Sequence, residues 1–358
     1  MESACKIFSK ITACHYVLPR NVEQNSDLAA RFGEKKMRSV EKISGIVSRR
    51  VAPKGVCASD LGFAAASRMI EKLNIKKEEI DCLVFASQTP DYILPSTAAV
   101  LHEKLGLSSS CGAFDVSMGC PAFIYSLSIA NGMIASGQCK KILLIVADTI
   151  TKLINPLDFG LVPLHGDGAA CFLVEKSDGK DGIEGVDFGT DSSLYEALIV
   201  KDGGFRNPIS ENSATPVPDK FGAVRTAKDL QMDGAAVFHF SLYKVPEEIS
   251  KAMQKFGVSV ADLDKVLLHQ ANKTMVEQIY KMLGVPPEKQ FYFMEKIGNL
   301  SAASSAVLLV EALRRGTVAQ NARVLVSAFG VGLSWGTALL KTGETLPETL
   351  SGKSDFEL

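Results

Sequence analysis

Two kinds of segment alternate along this chain. Residues 83–86 and 142–147 are continuous apolar runs, which suit strands buried on both faces. Between them, small and apolar residues continue long enough for a helix. Its ends are marked: Pro121 fits the first helical position, where its missing N–H is not needed, and Gly137 fits the position just past the end. The intervening run AFIYSLSIANGMIAS carries no charge, so a centrally buried helix is expected.

The same order of signals is written twice. The first copy reads D81CLVFAS, Leu105-Gly106, F114DVSMGC120, a helix closing at Gly137, then I142LLIVA. The second reads D264KVLLHQ, Leu283-Gly284, F293MEKIGN299, a helix closing at Gly316, then R323VLVSAF. Cys120 to Gly137 and Asn299 to Gly316 both span 17 residues. The second helix, S301AASSAVLLVEALRR, begins with small residues as the first does, so the two are expected to face each other across the seam between halves. Strands alternating with helices in this way predict an α/β protein with mixed sheets covered by helices. The expected division is an N-terminal half at 1–177, a connecting segment with surface excursions at 178–235, and a C-terminal half at 236–358. The connecting segment is assigned from its Gly, Asp, Ser and Pro content, S210ENSATPVPDK being its most polar portion. The polar tail from about Glu344 is expected to fray.

Composition narrows the class. With 358 residues, 46% of them hydrophobic and 22% charged, the chain can bury a large core. Its 39 basic and 40 acidic residues leave a net charge of -1, which points away from nucleic acid and from anionic membrane surfaces. No apolar stretch approaches bilayer length, and a cytoplasmic protein is expected. Eight cysteines, at 5, 14, 57, 82, 111, 120, 139 and 171, are scattered without a CxxC pair. They read as mostly reduced and buried, with one nucleophile among them. Cys5 and Cys14 lack histidine at zinc spacing, so no metal is expected.

Three residues stand out for chemistry. Cys120 lies between Gly119 and Pro121 at a strand-to-helix junction, where the helix N-terminus is expected to lower a thiol pKa. Counted alone, it would be one more small buried residue; its position favours a nucleophile. His269 ends the run V266LLHQAN and is read as a site residue, a satisfied core histidine being the plainer alternative. Asn299, taken alone, reads as a helix cap. The duplication weakens that reading, because Asn299 holds the place that Cys120 holds in the first copy. His165, in L164HGDGAACFLVE, is assigned to a turn. The glycines of F329GVGLSWG lack the Lys-Ser/Thr ending of a phosphate loop and read as a tight turn bringing backbone N–H groups to a pocket.

Together, G119C120, H269QAN272, G298NLSAAS304, G166DGAA170 and F329GVGLSWG336 resemble β-ketoacyl-acyl-carrier-protein synthase III of the thiolase-fold superfamily, in order over roughly residues 6–341. The resemblance implies a five-layered αβαβα fold built from two duplicated halves, a homodimer, and a reaction without a bound cofactor. Cys120 would take an acyl group from acyl-CoA or an acyl carrier protein, with the backbone N–H groups of Cys120 and Val331 as oxyanion hole. His269 and Asn299 would then stabilise the enolate formed when malonyl-acyl carrier protein loses carbon dioxide. Leu94 would line the acyl pocket across the subunit interface.

The chain departs from the family at the entrance. Ser39 and Ile43 replace a tryptophan and an arginine that grip coenzyme A, and Lys152 replaces a second arginine. Thr274 stands where an arginine meets the carrier protein, with Lys273 and Lys281 as candidate substitutes, and Val331 replaces a glycine. Three readings therefore stay open: a decarboxylating condensing enzyme, an acyltransferase using the same Cys-His-Asn site without decarboxylation, and a non-catalytic partner subunit.

Overall fold

The structure is a computed structural model that describes residues 7–219, 222–349 and 355–356; Cys5 lies outside these residues. Numbering the principal elements along the chain, the first sheet takes β1 (Ser9–Pro19), β2 (Cys82–Ser87), β3 (Gly112–Ser117), β4 (Lys141–Asp148) and β5 (Gly168–Lys176). Their spatial order is β1-β5-β4-β2-β3, and β4, β2 and β3 run parallel. The second sheet takes β6 (Gly182–Thr190), β7 (Lys265–Leu268), β8 (Arg323–Gly330) and β9 (Ser334–Lys341), in the order β7-β8-β9-β6.

The repeat is visible in strand direction. In the first sheet β2-β4-β5-β1 pair parallel, antiparallel, antiparallel, and β7-β8-β9-β6 in the second pair in the same sense. The counterpart of β1 is thus β6, which falls inside the segment expected to connect the halves. Its residues Ile183 and Val186 pack into the core between the sheets, so the Gly and Asp content that marked the segment as a linker misled at 182–190. The first sheet also has a parallel strand, β3, with no counterpart in the second sheet among the described residues. At the corresponding place Met294–Lys296 form a 3-10 turn, and the Phe293 N–H is taken by the Gln270 side-chain oxygen instead of a strand ladder.

Helices complete five layers. On the outer face of the first sheet lie α1 (Ala58–Lys72) and α2 (Thr97–Leu105), and on the outer face of the second lie α4 (Gly234–Lys255) and α5 (Lys273–Met282). Between the sheets, and in contact with each other, are α3 (Ala122–Ala135) and α6 (Ala303–Arg314). Phe123, Ile124 and Leu127 of α3 interlock with Val307 and Leu308 of α6, with Val84 and Leu144 on one side and Leu267 and Val326 on the other. Small residues permit the approach: a methyl added at Gly336 of β9 would lie 2.8 Å from Ile124 Cγ2 of α3. Gly137 and Gly316 follow the two central helices in left-handed conformation, as expected of helix ends.

The tail does not run free where it is described. Glu348–Thr349 and Asp355–Phe356 lie parallel to β1. No helix among the described residues is long and apolar enough to cross a membrane.

One buried charge ties the layers. Glu311 of α6 accepts hydrogen bonds from Tyr16 Oη of β1 at 2.8 Å, from Arg314 at 2.6 and 2.7 Å and from Arg315 at 2.6 Å. Burial pushes the carboxyl pKa up, but the bonds from Arg314, Tyr16 and Arg315 outweigh it and hold the group below its ordinary value. Tyr16→Phe removes the only one of these bonds that reaches the first sheet. It is expected to destabilise the fold by about 1.5–3 kcal/mol, the range for a hydrogen bond to a charged group, measured by urea denaturation.

Candidate active site

The loops that precede α3 and α6 meet at the seam between the sheets, and a cavity of about 140 Å³ opens there. Cys120, His269 and Asn299 all line it, so residues far apart in sequence converge as the sequence reading expected. Gln88, His165, Ser241, Asn272 and Ser301 are the other polar residues of the lining, and Leu198, Leu230, Met232, Phe238 and Phe329 supply apolar walls.

Cys120 follows Gly119 two residues before α3, with Pro121 as the helix N-cap. A side chain at Gly119 has no room: an added methyl would lie 2.1 Å from Val331 Cγ1 and 2.5 Å from Gln88 Oε1. Gly330 is constrained from the other side, since its added methyl would lie 2.7 Å from Cys120 Sγ. These two glycines let the β8–β9 turn close over the thiol. The backbone N–H groups of Val331 and Cys120 both approach the sulfur and favour its anion. The expected low thiol pKa is nevertheless not found. Burial, and after it the negative charge of Asp148, push the Cys120 thiol up to about 12 and outweigh the amides.

His269 extends β7, its N–H bonding the Ser327 carbonyl at 2.8 Å, and its ring meets Phe329 edge-on. Burial first, and His165 second, lower its pKa to about 3, so the imidazole is neutral. Its Nδ1 is sealed from solvent and has no hydrogen-bond partner among the described residues. An orphaned buried N–H costs more than an orphaned lone pair, so the proton belongs on Nε2, which makes that nitrogen a donor.

Asn299 is not a helix cap. α6 begins four residues later, and Asn299 Oδ1 instead accepts the Ser301 N–H at 3.0 Å. A backbone N–H needs an acceptor, so the carboxamide oxygen is fixed there and the –NH2 end remains as donor.

The turn reading of His165 is incomplete. The ring does hold its turn, Nδ1 bonding the Leu161 carbonyl at 3.1 Å, but the side chain also lines the cavity. That bond assigns the proton to Nδ1 and leaves Nε2 an acceptor. Burial lowers its pKa, and the nearby Arg49 guanidinium adds to the effect. Asp167 of the same motif serves structure, accepting from Ala52 N–H at 2.7 Å and from Thr151 Oγ1 at 2.6 Å. Gln88 and Ser301 also went unassigned in the sequence: Gln88 has no motif, and Ser301 reads as one of several small helix-starting residues.

The other expected residues lie elsewhere. Leu94 is 83% exposed on the β2–α2 loop beside the exposed Tyr92 and Ile93, and does not line the cavity within this chain. Lys152, Lys273 and Lys281 are exposed and outside the cavity lining; Lys273 pairs with Glu277 at 3.8 Å. Thr274 donates to the Ile43 carbonyl at 2.7 Å, so two of the departures from the family pattern touch each other. Among the described residues no group of three or more His, Cys, Asp or Glu is placed to hold a metal ion.

Residues 114–192 match the family model for 3-oxoacyl-[acyl-carrier-protein] synthase III, and residues 253–342 match the model for the C-terminal part of the same enzyme. A putative 3-oxoacyl-[acyl-carrier-protein] synthase 3 of Campylobacter jejuni is 35% identical over 310 residues, covering 86% of this chain and 85% of the relative. The β-ketoacyl-[acyl-carrier-protein] synthase III of Caldanaerobacter subterraneus is 32% identical over 336 residues, covering 94% and 98%. Among solved structures, a 3-oxoacyl-(acyl-carrier protein) synthase of Burkholderia xenovorans superposes with a TM-score of 0.89 at 32% identity, over 96% of this chain and 97% of that one. Relatives at this identity over most of both chains, and a solved structure of the same fold, place the chain in the 3-oxoacyl-[acyl-carrier-protein] synthase III family.

Proposed function

We propose that this protein is a condensing enzyme that joins an acyl group carried on Cys120 to the two-carbon unit of a malonyl thioester in fatty-acid synthesis. The observation that carries this reading is a neutral, mostly apolar cavity in which two fixed donors, His269 Nε2–H and the Asn299 –NH2, share space with the thiol.

The first step exchanges one thioester for another. Cys120 Sγ attacks the carbonyl carbon of the acyl donor, the Val331 and Cys120 amides hold the oxyanion, and the donor thiolate leaves with the proton that the thiol gave up. Second, malonyl thioester enters and its C–C bond to the carboxylate breaks, releasing carbon dioxide. The electron pair moves to the thioester carbonyl, where His269 and Asn299 donate to the enolate oxygen. Third, the enolate carbon attacks the acyl-Cys120 carbonyl, and collapse gives a β-ketoacyl thioester with Cys120 as leaving group. One proton is taken up to restore the thiol. Neither donor has to change charge, which suits a cavity where a charged imidazole is costly.

The acyl carrier protein bears the malonyl group, while the first acyl group comes from coenzyme A or from a carrier protein. We also place the enzyme in the cytoplasm as a homodimer. Buried free cysteines fit a reducing compartment. The outer edge of β3 has no partner strand among the described residues, and the exposed Tyr92, Ile93 and Leu94 fit a second copy, across which Leu94 would reach the acyl pocket.

Cys120→Ala is expected to abolish acyl-enzyme formation, read as the loss of the adduct in intact mass. Asn299→Ala should still acylate, while release of carbon dioxide from malonyl-acyl carrier protein falls by about a hundredfold or more, the scale for losing one oxyanion donor. Equal loss of both steps would show that Asn299 only shapes the loop. Because burial holds His269 near a pKa of about 3, it stays neutral from alkaline pH down to well below its unfolded value. Decarboxylation by pre-acylated enzyme should therefore be flat between pH 8 and about 5; a fall centred near the ordinary histidine pKa would contradict a neutral donor.

A further inference from the structure

Asn299 is held by its main chain and by its side chain separately. Its N–H donates to the Leu164 carbonyl at 2.8 Å and its carbonyl accepts the Gly166 N–H at 3.0 Å, a parallel bridge that fixes where the backbone lies. Where the carboxamide points is set by the Ser301 N–H, which closes an Asx turn on Oδ1 at 3.0 Å. That turn is conformationally costly, since Ser301 adopts φ +52°, in the left-handed region that residues with a side chain seldom occupy. Ala122, the equivalent position two residues after Cys120, already begins its helix. The second copy thus departs from the first at the residue that aims its donor.

Backbone in a sparsely populated region persists where its surroundings over-determine it. Two contacts do so here, and both come from the other half of the molecule. Asp148 Oδ2 accepts the Ala302 N–H at 3.0 Å, on the helix side of Ser301. Gln88 Nε2 donates to Ser301 Oγ itself. Gln88 has little freedom of its own. Its N–H donates to Asp148 Oδ1 at 2.9 Å, an oxygen that also accepts from Ser87 Oγ at 2.8 Å and Thr89 Oγ1 at 2.9 Å, and its Oε1 packs into the space that a side chain at Gly119 would need. The Asp148 carboxylate therefore ties the loop after β2 to the start of α6, and the Gln88 side chain crosses the same gap to grip Ser301.

We propose that Gln88 is a positioning residue for decarboxylation: by holding Ser301 in its left-handed conformation, it keeps the Asn299 –NH2 aimed at the oxygen where the enolate charge develops. The inference rests on the function proposed above. Gln88 acts through two printed contacts in series, its own bond to Ser301 Oγ and the Ser301 N–H bond to Asn299 Oδ1. It makes no bond to substrate and carries no proton. Without the grip, Ser301 relaxes toward negative φ and its N–H leaves Oδ1. The carboxamide then turns about its last torsion, which is broad and nearly two-fold, so that oxygen and nitrogen exchange places. An amide oxygen turned toward an enolate repels it. An oxyanion donor works by preorganisation, so a misdirected amide loses rate even while it stays in the cavity. Acylation of Cys120 uses the Val331 and Cys120 amides, which this chain of contacts does not hold. The effect falls on the second substrate and not on the first.

Gln88→Met removes the amide with little change of volume, and Ser301→Ala removes the hydroxyl that it grips. Each is expected to slow release of carbon dioxide from malonyl-acyl carrier protein by pre-acylated enzyme about tenfold, the scale of one hydrogen bond, while intact mass still shows the acyl adduct on Cys120. Ser301→Gly adopts the left-handed backbone without strain and should lose less than Ser301→Ala. In an Asn299→Ala background, Gln88→Met should have no further effect, because the group it positions is gone. An unchanged decarboxylation rate in Gln88→Met overturns the proposal. So does an equal fall in acylation and decarboxylation, which is the mark of a cavity that has merely loosened. If Gln88→Met does not fold, as judged by circular dichroism, the two Ser301 variants decide, and Ser301→Gly no faster than Ser301→Ala overturns the proposal. Native protein that takes an acyl group yet releases no carbon dioxide refutes the proposed function itself, and this inference falls with it.

Discussion

The site exists because two nearly charge-free helices are buried back to back between two sheets. α3 and α6 have nothing on their inner faces that needs water, so they fill the middle layer, and the chain just before each one must surface at the same seam. Cys120 and Asn299 sit on those two approaches. The exception is Glu311 of α6, and its bonds to Tyr16, Arg314 and Arg315 show what a charge in this layer requires. Any ion placed there without such partners would be opposed by the packing that brings the two approaches together.

Burial also sets the electrical character of the cavity. It keeps His269 and His165 neutral and makes the Cys120 thiol a poor acid at rest, which a helix N-terminus alone does not reverse. The same low polarizability makes the few oriented donors more effective once charge develops on a substrate oxygen. A thiol held in its neutral form by burial is also protected from oxidation, since the thiolate is the oxidisable form.

Much of this was legible in the sequence. The doubled pattern located the central helices, the seam and the three residues at it, because apolar periodicity and glycine punctuation report backbone geometry directly. Features that depend on a side chain meeting a distant partner were not legible. β6 was hidden by the Gly and Asp residues of its own strand, and at the place that corresponds to β3 the Phe293 N–H bonds the Gln270 side chain, a contact that no local pattern announces. His165 looked like turn chemistry because one of its nitrogens is engaged in it. The helix-dipole argument for Cys120 was sound but local, and burial, with Asp148, 28 positions along the chain, adding to it, reverses its outcome.

The turn that carries the Val331 amide is held unusually firmly for a loop. β8 and β9 stay paired up to Gly330 opposite Ser334, and Leu333 exchanges two backbone hydrogen bonds with Asp191, at 2.8 and 3.1 Å, just past β6. Three strands therefore fix one amide. Displacing it means fraying the second sheet, so its hydrogen exchange belongs with sheet opening and not with loop motion. The Leu94 loop has no such anchoring to that sheet. Sequence drift there can resize the proposed acyl pocket while the proposed oxyanion geometry stays constant, which divides the molecule into a part free to diversify and a part that is not.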